Sequence, residues 1–526
     1  MSDFGLAWRY SSEDENNWLM LTRYPTCADD RQGKYTVLSG PAVKEVLDLL
    51  DVDVRVTLPK NCIHSCIWSL LKRYRITRST PSYDGPRLGR MYKEISQLYS
   101  HGRPIVANHW SIVSGYTGAK KMQYAKCAME IDMFGPMRVL QSAYFAYNNK
   151  TGERQGNDCR SRGIMPMMSL AIGTSGVFED QRIETRPRDR MFTPILIENM
   201  FRPAITQVIE TYCEAGLRVF AAGMDLWDRA DTIVALLRRS GKLYMIDLSS
   251  WDGSLDTLTD VEARARLRFF GNHRVLKKLL KQQERKHIKG QGFKAKARGK
   301  RASGTAFTAD ANKTTMYGII RSEFGCSEAL MFCDGDDTIL APLIDGPEFE
   351  HRLNRVFEDL SMELKIEGVA TRYNDVRFCR AGVVKLDKGF CLVKEPTSAL
   401  KNALTEVRHL SASHFLPYLA TKRVGMGILW NGVPILHVLN RIYPEGSYDA
   451  TLLASSGLDY WMQTARDVGP SDITEEVRHD FHVTFGITPA TQMRIEKLII
   501  DLSPNAQRCF VEYVRRLGLE ASKTPT

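Results

Sequence analysis

Asp336 and Asp337 stand side by side in Met331-Phe332-Cys333-Asp334-Gly335-Asp336-Asp337-Thr338-Ile339-Leu340. Apolar, β-favouring runs flank them, and the Gly-Asp pair between those runs is turn chemistry. The pattern predicts a hairpin that presents both carboxylates at its tip. Two carboxylates at one point suit a hard divalent cation, because Mg²⁺ takes oxygen ligands and is usually held by one or two carboxylates together with substrate phosphates. Asp-Asp after Gly is also common in ordinary turns, so the triplet alone does not separate the two readings.

A second segment lies upstream. Leu243-Tyr244-Met245-Ile246-Asp247-Leu248 reads as a buried strand ending in a carboxylate, and Ser249-Ser250-Trp251-Asp252-Gly253-Ser254 follows as a turn. Asp247 beside the hairpin would complete a two-metal site, in which ions about 3.5–4 Å apart clamp the attacking and leaving oxygens of an in-line displacement. Between the two segments, the Ser303-Gly304 loop runs into an expected helix that sets Thr308 and Asn312 four apart on one face.

Asp247-x4-Asp252, then Ser303-Gly304-x3-Thr308-x3-Asn312, then Gly335-Asp336-Asp337, in that order, resembles the palm motifs of viral RNA-dependent RNA polymerases. The likeness is to the positive-strand tombusvirus-like and flavivirus-like group. It covers residues 243–341 and runs on to residue 401, where Phe378-Cys379 opens a hairpin similar to the palm-to-thumb hairpin of that group. The resemblance implies an α+β, right-hand polymerase fold with fingers, a palm built on an antiparallel sheet, and a helical thumb. It implies replication and transcription of a viral RNA genome by two-metal nucleotidyl transfer.

In that scheme Asp247 and Asp336 bridge two Mg²⁺ ions, for which Mn²⁺ can substitute, and Asp337 supports one of them. Asp252, Ser303 and Asn312 resemble the residues that read the ribose 2′-hydroxyl, with Gly304 and Thr308 in the same nucleotide-binding set. Lys365 is the candidate for protonating the leaving pyrophosphate. The implied partners are an RNA template and product strand, ribonucleoside triphosphates and other viral replication proteins, with membrane contact only indirect. The implied location is the host cytoplasm, in viral replication complexes. Two rivals stand beside this reading: a reverse transcriptase-like polymerase, and a non-catalytic basic RNA-binding or packaging protein. The first needs bulk against the 2′-hydroxyl, where this chain has Asp252 and Gly253. The second predicts binding without nucleotide incorporation.

Basic residues supply the expected grip on phosphate. Arg186, Arg188 and Arg190 alternate in a Pro-containing extended stretch, so they share one side. Three guanidinium groups there make a triphosphate clamp, or else a solvated edge strand; similarity to the basic fingers motif of these polymerases favours the clamp. From His273 to Arg301 there are twelve Lys and Arg and one acid, Glu284. Lys294, Lys296, Arg298, Lys300 and Arg301 lead directly into the Ser303 loop and are expected to neutralise RNA phosphates.

The whole chain is consistent with this. Its 526 residues are too many for one simple core and suggest two or three lobes. Hydrophobic content of 43% and charged content of 25% are those of a globular protein, and a net charge of +11 favours a polyanionic partner. Eleven cysteines fit free thiols in a reducing compartment. Cys62-x-His64-x-Cys66 lacks a second pair at zinc spacing and reads as a helix face. The first residues lack a signal-peptide pattern, and no apolar run reaches the ~20 residues that span a bilayer. The expected division is 1–235 fingers and N-terminal region, 236–261 palm, 262–302 basic fingers insertion, 303–385 palm and 386–526 thumb. Two C-terminal helices, over 490–502 and 505–519, are expected to start at Thr488-Pro489 and Ser503-Pro504.

Overall fold

The computed structural model describes residues 85–116, 118–142, 192–249, 251–290, 293–301, 306–344, 346–406, 412–446 and 465–521. It also describes the short segments 9–11, 18–21, 36–37, 41–50, 56–57, 153–154 and 169–172. The Cys62, His64 and Cys66 cluster lies outside these residues. The protein mixes helix with sheet, and nearly all of its strand pairs are antiparallel.

At the centre is a four-stranded sheet of Leu243–Leu248 (β1), Ala329–Asp334 (β2), Asp337–Pro342 (β3) and Leu364–Ala370 (β4), in the order β2-β3-β1-β4. Every pairing in it is antiparallel. β1, β2 and β3 are apolar almost without interruption because each is covered on both faces. Tyr244, Ile246, Met331, Cys333 and Leu340 point into one core. Leu243, Met245, Leu330, Phe332 and Ile339 point into another. The alternation follows from the two-residue period of a strand.

The first core is closed by helices α1 (Gly85–Ser100) and α2 (Phe192–Thr211). The second is closed by α3 (Leu226–Ser240). Asp225 caps α3 by accepting from the Trp227 and Asp228 amides, and Gly241, at φ +70°, ends it in the left-handed region. Beyond β1 come the single turn α4 (Trp251–Ser254), then α5 (Leu258–Phe269) and the central α6 (Thr308–Arg321). α6 is buried along most of its length, and its Asp310 is tied to α2 by Arg202 at 3.1 Å and Thr206 at 3.0 Å.

The basic stretch forms a hairpin, Arg285–Gly290 against Phe293–Arg298. A three-stranded antiparallel sheet of Arg377–Phe378, Ala381–Leu386 and Gly389–Lys394 packs beside α3. Its first turn, Cys379-Arg380, has φ of +51° and +60°, a two-residue hairpin loop built without glycine. The C-terminal region is helical, as expected, with one correction. Residues 490–519 form a single helix, Pro489–Ala521, that continues through Pro504. Pro504 cannot donate the backbone hydrogen bond that Ile500 would accept there, and burial of Ile495, Ile499, Leu502 and Ala506 holds both halves on one apolar face. Among the described residues no helix is long and apolar enough to cross a membrane.

Candidate active site

The β2–β3 hairpin closes with Asp334 opposite Asp337, which leaves Gly335 and Asp336 at its tip. Gly335 has φ +95°, the conformation that the first central position of a two-residue hairpin loop demands. A Cβ there would lie 3.5 Å from Asn312 Cβ, so the tip rests against α6. On the other side of β3, Thr338 pairs with Ile246, and the same register one step on sets Asp337 against Asp247. Asp247 in turn stands opposite Lys365 of β4. Asp334, Asp337, Asp247 and Lys365 therefore form one row across the end of the sheet, on the face they share as cross-strand neighbours.

The carboxylates of this row are held in opposite ways. Asp334 receives Lys313 from α6 at 2.7 Å and Arg229 from α3 at 3.6 Å. Burial alone would raise its pKa, but these two cations hold it below the usual carboxylate range. Asp337 lies three residues away. Burial, then the charges of Asp336 and Asp247, push it up to about 7. Lys365 does not relieve this, because its ammonium lies 3.2 Å from Glu367 and is largely solvent-exposed.

These donors fit the divalent metal that the polymerase resemblance implies. They are all carboxylate oxygens, the chemistry Mg²⁺ and Mn²⁺ take. Asp337 is raised by burial first and then by the charges of Asp336 and Asp247, and a cation would offset the second of these. Among the described residues no three Asp, Glu, His or Cys groups are already gathered as a metal cage. A cation bound here would thus complete its shell with water or substrate phosphate, as Mg²⁺ usually does.

Beside the row sits a second constellation. Asn312 Nδ2 donates to Asp252 Oδ1 at 3.4 Å, joining α6 to α4. Asp252 is buried, and the Asn312 Oδ1 is buried without a partner. Thr308 lies one turn earlier on α6, half-buried. Ser303, Gly304, Arg186, Arg188 and Arg190 lie outside the described residues.

Of the five residues expected to face RNA phosphates, two do not face solvent. Lys300 is 1% exposed, and its ammonium donates to the Gly253 carbonyl at 2.9 Å and to the Asp256 carboxylate. Arg301 is buried against Glu262 at 3.7 Å and donates to Thr315 Oγ1 at 3.2 Å. A charge taken out of water persists only where partners replace its hydration, and Asp256 and Glu262 do so here. Arg298 is exposed and pairs with Glu284 at 2.9 Å, Lys296 is half-buried, and the Lys294 side chain lies outside the described residues.

Sequence reasoning missed Asp334, Lys313 and Arg229, which anchor the hairpin, and Glu198 on α2. Glu198 is fully buried, accepts from the Ala306 amide at 2.7 Å, and is pushed by burial to about 8. A third Asp inside the hairpin motif and a Lys directly after Asn312 were visible signals; nothing local marks Arg229 or Glu198.

Residues 260–507 match the model of a family described as viral RNA-dependent RNA polymerase. Over this span the chain is similar to the viral RNA-dependent RNA polymerases. The matched span includes Thr308, Asn312, Asp336, Asp337 and Lys365 and begins after Asp247 and Asp252. The chain is 25% identical over 211 residues to an RNA-directed RNA polymerase of Pothos latent virus, covering 39% of this chain and 28% of that protein. It is 26% identical over 236 residues to a putative RNA-directed RNA polymerase of Barley yellow dwarf virus, covering 42% and 26%. It is 25% identical over 313 residues to the RNA-directed RNA polymerase of Cucumber necrosis virus, covering 55% and 36%. The alignments therefore span well under half the length of these relatives, and the features shared with the polymerase family concern this part of them.

Proposed function

We propose that the chain is an RNA-directed RNA polymerase whose catalytic centre is the row at the end of the central sheet. The observation that carries this reading is the juxtaposition of Asp247 and Asp337 beside the Asp336 tip, with Asp337 raised to about 7 by burial and by its neighbours' charge. Asp247, Asp336 and Asp337 would hold Mg²⁺ or Mn²⁺. Such ions lower the pKa of an attacking 3′-hydroxyl and neutralise a triphosphate, and the rest of the catalysis is positioning and charge stabilisation. Residues 236–261 and 303–385 form the palm in this reading, 1–235 and the basic 262–302 form the fingers side, and 386–526 form the thumb of a right-hand fold. The substrates are ribonucleoside triphosphates and an RNA template. Arg186, Arg188 and Arg190 are proposed to clamp the triphosphate. Lys294, Lys296 and Arg298 are proposed to track the RNA backbone. Other viral replication proteins in the host cytoplasm are proposed as further partners.

The Asp252–Asn312 pair supports ribose selection. A 2′-hydroxyl would donate to Asp252 or to the unpartnered Asn312 Oδ1. A deoxyribose would offer the buried Asn312 Oδ1 no donor, and a site built to bond a hydroxyl rejects the analogue that lacks it.

The test is extension of an RNA primer on an RNA template with labelled ribonucleotides and Mg²⁺. Incorporation is expected from the wild-type protein, and Asp336→Asn should abolish it while leaving RNA binding nearly intact. An active Asp336→Asn protein, or a wild type that binds RNA without incorporating, overturns the reading.

A further inference from the structure

The turn that carries Asp252 cannot hold itself in place. α4 is a single helical turn, Trp251–Ser254, so its carbonyl groups are all terminal and take no partner from its own ladder. An isolated turn of this length is unstable, because helix nucleation fixes several residues for one hydrogen bond. Yet Asp252 must meet Asn312 of α6, sixty positions further along the chain, at a hydrogen-bonding distance of 3.4 Å.

Three consecutive residues supply the missing contacts. The Arg301 amide donates to the Asp252 carbonyl at 2.9 Å. Lys300 Nζ donates to the Gly253 carbonyl at 2.9 Å and reaches the Asp256 carboxylate. Gly299 runs directly over Asp256: it has φ +70°, and a Cβ there would lie 2.6 Å from the Asp256 carbonyl oxygen. Thr259 of α5 locks the two strands of chain together, with its hydroxyl between the Gly299 carbonyl at 3.0 Å and the Asp256 carbonyl at 2.8 Å. The Lys300–Asp256 pair has both side chains at 0% exposure, so no RNA phosphate can reach this ammonium.

We propose that Gly299-Lys300-Arg301 is a clip that fixes the Asp252 turn against Asn312, making Lys300 and Thr259 positioning residues for sugar selection. The inference rests on the reading of Asp252 and Asn312 as the ribose-sensing pair. The clip acts on the adjacent Asp252 and Gly253 carbonyls and on Asp256 just beyond the turn, and so sets where the Asp252 carboxylate stands without touching the nucleotide. A hydrogen bond to a carboxylate weakens quickly as its geometry degrades, so a turn released by a few tenths of an ångström loses selectivity before it loses metal chemistry.

The experiment measures kcat/KM for matched ribo- and deoxynucleotides on one RNA template, together with the salt dependence of RNA affinity. Lys300→Met should lower the ribo-over-deoxy ratio by about tenfold, the size of one weakened buried hydrogen bond. Its slope of log K against log salt should equal that of the wild type. Thr259→Val removes the one hydroxyl proton shared between the Asp256 and Gly299 carbonyls and no charge, and should lower the ratio severalfold; it carries the test alone if Lys300→Met does not fold. Equal slowing of both sugars in the variants overturns the clip, because a merely structural role predicts that. So does a slope changed by about 0.7, the signature of one lost single-strand phosphate contact. Asp252→Ala separates the two levels of the argument. An unchanged ratio there refutes the sugar-sensing pair itself. A changed ratio there, with wild-type ratios in Lys300→Met and Thr259→Val, refutes the clip alone.

Discussion

Asp337→Asn should stabilise the metal-free protein at pH 8 while removing catalysis. Burial and the charges of Asp336 and Asp247 raise Asp337 to about 7, against an ordinary aspartate near 3.9. The folded state therefore keeps a proton that the unfolded chain gives up between about pH 4 and pH 7. With more protons bound when folded, stability falls as pH rises across that window. A rise of about three units corresponds to about 4 kcal/mol, and because Asp337 is only half-buried, solvent screening leaves roughly 2 kcal/mol. Asn carries no such loss, so the variant's unfolding midpoint should exceed the wild type's by a few degrees at pH 8 and match it near pH 4. Mg²⁺ should narrow the gap by stabilising the wild type more than the variant, since it binds the folded carboxylates. The assay is thermal unfolding in a chelator across pH 4–8, repeated with Mg²⁺. A variant that melts at or below the wild-type temperature at pH 8 in chelator would show that the carboxylates are not held against one another, and the reasoning would fail.

Asp334→Asn should do the reverse, costing about 3 kcal/mol in urea unfolding at neutral pH, because it leaves Lys313 and Arg229 buried without their anion. Glu198→Gln should be better tolerated at pH 8 than at pH 4, since burial raises Glu198 to about 8 and the wild type loses stability as pH climbs toward that value; a pH-independent difference in midpoint would count against it. Replacing Lys294, Lys296 and Arg298 with Ala should flatten the salt dependence of RNA affinity by about 0.7 per lost contact, and an unchanged slope would return the hairpin to the status of a solvated face.

Local chemistry made the centre of the fold legible. The β2–β3 hairpin could be read because a turn signal sat between two strand-like runs, and every one of those determinants lies within fourteen residues. The juxtaposition of Asp252 with Asn312 followed from the order of the motifs and is present at 3.4 Å. The inward turn of Lys300 and Arg301 was not legible. Lys294-Ala295-Lys296-Ala297-Arg298-Gly299-Lys300-Arg301 reads as one basic ribbon, and nothing in it tells Arg298, exposed, from Lys300, buried. The distinction lies in Asp256, forty-four residues upstream, and in Glu262. The unbroken C-terminal helix was hidden for a similar reason, since Ser503-Pro504 is a start signal by local rules and tertiary burial overrides it.

Asp334 and Asp337 are the same residue type, three positions apart on one hairpin, and the structure gives them opposite environments. That difference explains how a cluster of carboxylates can be kept in a folded protein without its metal. Like charges at the end of a sheet repel by on the order of a few kcal/mol at protein-surface dielectric. That repulsion would drive β3 away from β1 at the Asp337–Asp247 end. The opposing forces act in the same row, on Asp334. Lys313 and Arg229 draw Asp334 toward α6 and α3 at once, and Ile339 and Leu340, two and three positions beyond Asp337, are buried in separate cores. The root of the hairpin is thus fixed from both faces, so burial and then repulsion at the tip raise the pKa of Asp337 instead of opening the sheet. A divalent cation at the tip would reverse the sign of the interaction and draw the two strands together. In this arrangement metal binding and the docking of the hairpin tip at Gly335 against Asn312 are one equilibrium, and removal of the anchoring cations should weaken metal affinity even though neither Lys313 nor Arg229 could be a ligand.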